Sequence, residues 1–327
     1  MNVKISIDAM GGDFGPSVTM EAVIRALSHH SDVTALVFGD RSALQDCIDK
    51  TLSPSIVSRL ELCHCASQVD CHDKPSFAVR SKQDSSMALA LKSLKEGKAE
   101  ACVSAGNTGV LMALSLFILG TLPGISRPAI CAEIPTDNGN KLMLDLGANV
   151  DCSADQLYQF AVLGSHTANL ALEIDNPSLR LLNVGLEAGK GNNLVQATAE
   201  MLEADESLNY QGFIEGDGIF QGLADVIVCD GFSGNVALKA SEGVARHIYQ
   251  KLPALSADFK GGLAELKASI QPSLFNGAYL LGINGVVVKS HGGADVQGFA
   301  NALERAINAA RHQLPSALSP LLAQNNH

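Results

Sequence analysis

Ala101–Ala113, ACVSAGNTGVLMA, is the stretch on which the reading of the chain turns. Ala101–Val103 is a short apolar run of strand type, Ser104–Thr108 is a small polar turn, and from Gly109 apolar residues recur at helical spacing. A strand that stops on Ser-Ala-Gly-Asn-Thr and passes straight into a helix leaves free backbone N–H groups at the helix start. Together with the Ser and Asn side chains, those groups suit an anion. The same residues also cap helices for structural reasons alone. What strengthens the anion reading is repetition. DAMGGD (Asp8–Asp13), DLGAN (Asp145–Asn149), DGFSGN (Asp230–Asn235) and KSHGGAD (Lys289–Asp295) each follow an apolar run and precede a helical pattern. Five such loops read as one site assembled from several elements.

Outward from that stretch, the chain alternates strands and helices. Lys4–Asp8, Thr34–Gly39 and Leu60–Cys63 read as strands, with helices over Ser17–Leu27 and Arg41–Thr51 between them. This βαβαβ run predicts a doubly wound, mostly parallel sheet. Asp70–Ser86 reads as a long loop. Ala129–Ile134 and Lys141–Asp145 read as an antiparallel pair joined at Asp137–Asn140, so the sheet is expected to be mixed. Further strands are expected at Arg180–Val184, Phe213–Glu215, Val226–Cys229 and Val286–Lys289. Helices are expected at Ala154–Leu172, Leu194–Ala204, Val236–Leu252 and Gln297–Gln313. Pro253–Phe275 reads as a helical hairpin insert, and Leu314–His327 as a fraying tail. No linker separates independent parts, so residues 1–327 are expected to form one α/β domain.

Composition limits the function. The 327 residues are 46% hydrophobic with 30 glycines, which fits a buried sheet with tight turns. A formal charge of −11 and the absence of Trp argue against a nucleic-acid partner. The N-terminus has no signal-peptide pattern, and Val110–Leu122 is too short to span a bilayer, so a cytoplasmic location is expected. The eight cysteines are scattered, and Cys102, Cys131 and Cys229 sit in apolar runs as small hydrophobes. Cys63-His64-Cys65 with Cys71-His72 has the ligand types for zinc but the spacing of no common knuckle; no metal is expected.

DAMGGD lacks the G-x-G-x-x-G spacing of a dinucleotide loop and is no Walker loop; a tight βα turn that simply needs glycine explains it equally well. There is no G-x-S-x-G elbow and no H-E-x-x-H, and no spacing singles out a nucleophile. Lys190, between Gly189 and Gly191 after a strand, is either an exposed loop lysine or one placed to meet a phosphate or a developing negative charge. Asn235 is either a helix cap or a substrate ligand. His291 in KSHGG is either a turn residue or part of the site.

Asp8–Asp13, Ser104–Ala113, Arg127-Pro128, Asp145–Asn149, Lys190-Gly191-Asn192, Asp230–Asn235 and Asn284–Asp295 together resemble the bacterial phosphate acyltransferase (PlsX) family. The resemblance runs from Lys4 to about Ala310. It implies a Rossmann-like αβα sandwich similar to phosphotransacetylases and isocitrate dehydrogenase. It also implies a homodimer that moves a long-chain acyl group from an acyl carrier protein thioester to inorganic phosphate, giving acyl phosphate for phospholipid synthesis. On this reading Lys190, Asn235 and His291 are catalytic. Asp8, Gly11, Gly12, Asp13, Ser104, Gly106, Asn107, Thr108, Asp145, Asn149, Asp230, Ser233, Asn284 and Ser290 hold substrate or phosphate. Peripheral contact with the inner face of the membrane and with a downstream glycerol-3-phosphate acyltransferase are further expectations. Two departures stand out: Glu187 is flanked by Leu186 and Ala188 where the family tends to carry a run of glutamates, and the insert is short.

The chemistry fits the loops. Phosphate at neutral pH is already an oxygen nucleophile, so the site must hold a dianion, orient it on a thioester carbonyl and stabilise an oxyanion or thiolate. No metal or organic cofactor is required. Residues Lys239 to Lys267 hold five Lys and Arg against three acids, and Arg246 and Lys251 are the expected docking cations for an acidic carrier protein. Leu263 and Leu266 of the insert are the expected membrane contacts. Two rival readings remain: a phosphotransacetylase-type enzyme using acyl-coenzyme A, and a non-catalytic scaffold that binds carrier protein or membrane.

Overall fold

In the computed structural model, which describes residues 2–48, 53–255 and 276–324, eleven strands form one sheet. In chain order the strands are β1 (Val3–Asp8), β2 (Val33–Gly39), β3 (Leu60–His64), β4 (Ala101–Ser104), β5 (Ala129–Thr136), β6 (Gly139–Leu144), β7 (Leu179–Leu182), β8 (Tyr210–Ile214), β9 (Val226–Val228), β10 (Ala278–Leu281) and β11 (Val286–Lys289). They lie in the order β3-β2-β1-β4-β11-β10-β5-β6-β9-β7-β8. The set β3, β2, β1, β4, β11 is parallel, as is the set β6, β9, β7, β8. Between them, β10 and β5 pair antiparallel with each other and with their outer neighbours, so the two parallel sets run in opposite directions.

The central register explains how both sets reach one place. Lys289, the last residue of β11, pairs with Ala278; Ala278 pairs with Ala132, and Ala132 with Met143, one residue before β6 ends. The opposed sets therefore end almost level across β5. Loops from both halves meet at this reversal of strand direction, where α/β sheets usually bind their ligands.

Helices cover both faces: α1 (Pro16–His29), α2 (Arg41–Asp46), α3 (Pro54–Val57), α4 (Pro75–Ser81), α5 (Ser86–Lys95), α6 (Thr108–Leu119), α7 (Ala154–Ala171), α8 (Asn193–Ala204), α9 (Gly231–Leu255), α10 (Val296–Arg311) and α11 (Leu314–Gln324). Local chemistry marks their starts. Asn107 and Asn192 cap α6 and α8 by accepting from Val110 and Val195 N–H, and Ser153 with Gln156 forms a reciprocal capping box on α7. The sheet separates two apolar cores. One holds Ile5, Ile7, Phe160 and Phe299; the other holds Met87, Cys102, Leu111 and Leu280.

The structure departs from the sequence reading in three places. Within the expected loop Asp70–Ser86, Pro75 opens the short helix α4, which packs on α6. The strand β10 was not expected: only four residues long, it returns through a tight turn into β11. The expected fraying tail forms α11, because Leu314 and Leu318, four residues apart, are both buried. The helical insert expected at Pro253–Phe275, with Leu263 and Leu266, lies outside the described residues except for 253–255, which end α9. Among the described residues no helix is long and apolar enough to cross a membrane.

Candidate active site

A cleft of about 1030 Å³ opens over the central strands. Ile130 and Ala132 of β5 and Ala278 of β10 form its floor. One wall is α6, which presents Thr108, Met112 and Leu116, four residues apart. The facing wall is α9, which presents Asn235, Leu238, Glu242, Ala245 and Tyr249 at helical spacing. The cleft is thus apolar along its floor and much of its walls. Its charge is carried by Arg127, Lys289, Asp13 and Asp295 at the strand ends and loops and by Lys239, Glu242 and Arg246 on α9. Four cations against three acids make the lining slightly positive in a chain of net charge −11.

Lys289 ends β11 and is held by carbonyls: its Nζ donates to Ala105 O at 3.4 Å and, closely, to Ser290 O. Burial, then the Lys239 ammonium, lowers its pKa to about 8, against the opposing pull of Asp8 and Asp13. A half-buried lysine still charged at neutral pH is suited to binding an anion. Lys239 pairs with Glu242 at 2.7 Å one helical turn on. At the neighbouring loop, His291 Nδ1 accepts from Gly293 N–H at 3.1 Å, so the neutral ring carries its proton on Nε2. Burial comes first in lowering the His291 pKa; Lys239, Lys289 and Arg246 push the same way and Glu242 opposes them. The ring is therefore a neutral donor at physiological pH.

From the other half comes Asn235. Asp230 accepts from Ser233 N–H at 2.9 Å and Ser233 Oγ at 2.8 Å, so Asp230 caps α9 and Asn235 is free of that task. Asn235 Nδ2 donates to Leu146 O at 3.3 Å. This close approach requires Gly147: its φ is +121°, and a Cβ there would lie 2.5 Å from Asn235 Nδ2.

Behind the lining, two buried aspartates brace the loops. Asp8 accepts from Ser86 Oγ at 2.6 Å and Ser104 Oγ at 2.7 Å, and Ser104 Oγ accepts from Gly106 N–H. Asp145 accepts from the N–H groups of Ile130, Ala148 and Asn149 and from Asn149 Nδ2, at 2.7–3.0 Å. Asn149 Nδ2 also reaches Pro128 O. Asp13 N–H donates to Gly292 O at 2.8 Å, tying the loop after β1 to the loop after β11.

Of the residues expected from sequence, Asp13, Thr108, Asn235, His291 and Arg246 line the cleft. Asp8 and Ser104 at strand ends, Ser233 in the first turn of α9, and Gly11, Gly12, Gly106, Asn107, Asp145, Asn149, Asp230 and Ser290 in the loops lie behind or beside it. Asn284 sits in the β10–β11 turn, a strand length from the cleft end of that hairpin. Lys190 is exposed in the loop between β7 and α8, outside the cleft lining; its carbonyl accepts from Asn183 Nδ2 at 3.1 Å. That loop leaves β7, the neighbour of β9 from which Asn235 follows. Lys251 is exposed on α9, off the cleft.

Sequence reasoning missed Lys289, Lys239 and Asn276 as site residues. Lys289 stood inside a quoted loop, and Lys239 follows Asn235 by one helical turn; Asn276 carried no signal. All eight cysteines are free thiols. Among the described residues, one group has atoms close enough to share a metal ion, the exposed Asp70, Cys71 and His72, and Cys63 and Cys65 are not part of it.

Comparison with known proteins bears on this geometry. Residues 3–317 match the family model described as fatty acid synthesis protein. A phosphate acyltransferase of Pseudomonas putida is 49% identical over 96% of each chain. One of Vibrio campbellii is 46% identical over 98% of this chain and 97% of its own. A phosphotransacetylase from Streptococcus pyogenes superposes with a TM-score of 0.63 at 18% identity, covering 95% of this chain and 94% of that one. A branched-chain phosphotransacylase from Enterococcus faecalis also gives 0.63, at 14% identity over 95% and 99%. At such identities the structures show a shared fold, the mixed α/β sheet described above. The near full-length matches show more: the chain belongs to the fatty acid synthesis protein family, together with these bacterial phosphate acyltransferases.

Proposed function

We propose that this protein transfers a long-chain acyl group from an acyl carrier protein thioester to inorganic phosphate, releasing acyl phosphate and the carrier thiol. The observation that carries the reading is the division of one cleft into an apolar floor and walls and a charged end where the ammonium groups of Lys289 and Lys239 lie near one another. An acyl chain fits the first and a phosphate dianion the second. The names of the relatives support acyl transfer to phosphate.

A phosphate oxygen attacks the thioester carbonyl carbon, and a P–O–C link forms as the carbonyl becomes an oxyanion. The oxyanion collapses, the C–S bond breaks, and the proton of hydrogen phosphate ends on the departing thiolate. Lys289 holds the dianion, with Lys239 beside it. Asn235 Nδ2 and the Nε2–H of His291 supply neutral hydrogen bonds to the carbonyl oxygen or leaving sulfur. Lys190 remains a proposed catalytic lysine, on the strength of its glycine-flanked place next to the β9 loop. Lys190→Ala should then cut kcat by roughly 10²–10³ with the fold intact, and Lys190→Arg should rescue poorly. Near-full kcat would remove it from the chemistry.

Arg246 at the cleft and Lys251 farther along α9 form the docking track for an acidic carrier protein. Reversing both charges should raise KM for the carrier substrate, increasingly at low salt, and spare kcat. The activity test uses labelled phosphate with carrier-protein and coenzyme A thioesters side by side. Label should enter acyl phosphate with the carrier thioester. Equal or better use of the coenzyme A thioester would favour a phosphotransacetylase-type enzyme, and no transfer with either would leave a binding scaffold.

A further inference from the structure

Beneath the cleft floor, on the opposite face of the sheet, lies a buried ion pair that the chemistry above does not use. Side chains alternate along β5, so Glu133 points away from the cleft that its neighbour Ala132 lines. Glu133 Oε1 lies 2.6 Å from Arg305 Nη1 of α10, the two side chains being 13% and 11% exposed. The same oxygen accepts from Tyr279 OH at 3.1 Å, and Oε2 accepts from Asn140 Nδ2 at 3.0 Å.

The guanidinium also reaches the segment that enters β10. Arg305 Nε donates to the carbonyl of Asn276 at 3.0 Å. Asn276 is buried, and its amide is used at both ends: Nδ2 donates to Ser290 Oγ at 2.9 Å, and Oδ1 accepts from His291 N–H at 2.7 Å. The contact is close because the next residue is Gly277, at φ +98°. A Cβ there would lie 2.7 Å from Arg305 Cδ and 2.9 Å from Ala302 Cα. A continuous path of hydrogen bonds thus runs from Glu133, under the sheet, to the backbone that carries His291 into the cleft.

A buried ion pair is weak evidence for stability, since an apolar pair of similar volume often does as well. The role that fits this pair is geometric. We propose that Glu133 and Arg305 are positioning residues: the carboxylate fixes the guanidinium, Arg305 Nε fixes the Asn276 carbonyl, and the Asn276 amide sets His291 and Ser290 at the cleft. For its effect on turnover the proposal rests on the acyl-transfer reading above; for the placement of His291 it does not.

The experiment follows the His291 ring in the full-length protein by NMR, its resonance assigned by its loss in His291→Asn. The central variant is Arg305→Lys, which keeps the charge opposite Glu133 but cannot offer a second donor in the fixed fork of a guanidinium. It should stay folded, move the His291 resonance and its titration, and lower kcat by about ten- to a hundredfold, as a misplacement remote from the chemistry does. Tyr279→Phe, which leaves the ion pair, should do neither. Glu133→Gln strands a buried cation and is open to unfolding, so Glu133→Gln/Arg305→Gln is made with it. That neutral pair should be stable and should still move His291. An unmoved His291 resonance in folded Arg305→Lys or in the neutral double variant overturns the proposal, whatever happens to stability. A moved resonance in a protein whose wild type makes no acyl phosphate would refute the functional reading and leave the positioning intact.

Discussion

The two halves of the sheet each end in a buried aspartate at the cleft, and the two carboxylates are satisfied by different donors. Asp8, at the end of β1, accepts from two serine hydroxyls, with further help from the Met10 and Gly11 N–H groups. Asp145, just past β6, accepts from three backbone N–H groups and one side-chain amide. Burial raises the pKa of both, with the hydrogen bonds pulling back. Hydroxyls rotate and can become acceptors; backbone N–H groups cannot. The half braced by Asp8 presents the Lys289 ammonium with the neutral ring of His291 beside it, while the half braced by Asp145 presents the neutral amide of Asn235 at the start of α9, ahead of Lys239, Glu242 and Arg246 along the cleft wall. The contrast teaches a division of labour between the two strand ends: one brings the Lys289 ammonium on a support made partly of rotatable hydroxyls, the other brings the Asn235 amide on a support of fixed amides.

The largest expected effect separates the halves by chemistry. Lys289→Met should lower kcat/KM for phosphate by roughly 10²–10³, about 2.7–4 kcal/mol of barrier, with most of the loss in phosphate KM. Asn235→Ala should lose mainly kcat. Steady-state kinetics with phosphate varied would show whether the two losses divide in this way; losses of the same kind would break the contrast.

The rigid brace should be the less tolerant of the two. Asp145→Asn turns an amide NH₂ toward fixed N–H donors and should destabilise by about 3 kcal/mol, whereas Asp8→Asn should cost about 1 kcal/mol, because the serines can rotate. Denaturant unfolding gives both numbers, and the reverse order would refute the distinction. The pH sign is the same at both sites. A raised folded pKa contributes stability fully present below the ordinary carboxylate value and lost as pH rises through the folded value.

Gly147→Ala should be next in size. The added Cβ meets Asn235 Nδ2 and the backbone is held at positive φ, so kcat should fall about tenfold with a further loss of about 1 kcal/mol in stability. Retained kcat would show that Asn235 does not need its place against Leu146.

The smallest effect is on pH. With its pKa lowered to about 8, Lys289 loses its charge as pH rises through that value. Phosphate KM should therefore climb toward tenfold per pH unit above about 8, and the climb should vanish in Lys289→Met. A flat profile in the wild type would place the phosphate elsewhere.

Much of this was legible in the chain. The ordered loops at Asp8, Ser104, Asp145, Asp230 and Lys289 identified the strand ends that meet at the cleft, because small polar residues after an apolar run leave a signature that packing does not erase. The hairpin at Asp137–Asn140 announced the mixed sheet. The assignment of tasks within loops was not legible. Asp8, Ser104 and Asp145 have the residue types of ligands, yet their polar atoms are used by neighbours that only the folded register supplies. Lys289 and Asn276 escaped for the opposite reason: one reads as an ordinary strand-end lysine and the other lies two residues before a four-residue strand. Their importance arises from β10, whose pairing with β5 and β11 brings Ala278 beside both Ala132 and Lys289.

The most direct test of the account is a single turnover of long-chain acyl carrier protein with ¹⁸O-labelled phosphate, with product and protein both read by intact mass. Direct attack in the cleft predicts acyl phosphate that keeps every labelled phosphate oxygen, free carrier thiol, and no mass added to the protein at any time. An acylated form of the protein, or phosphate whose label never enters an acyl phosphate, would contradict it.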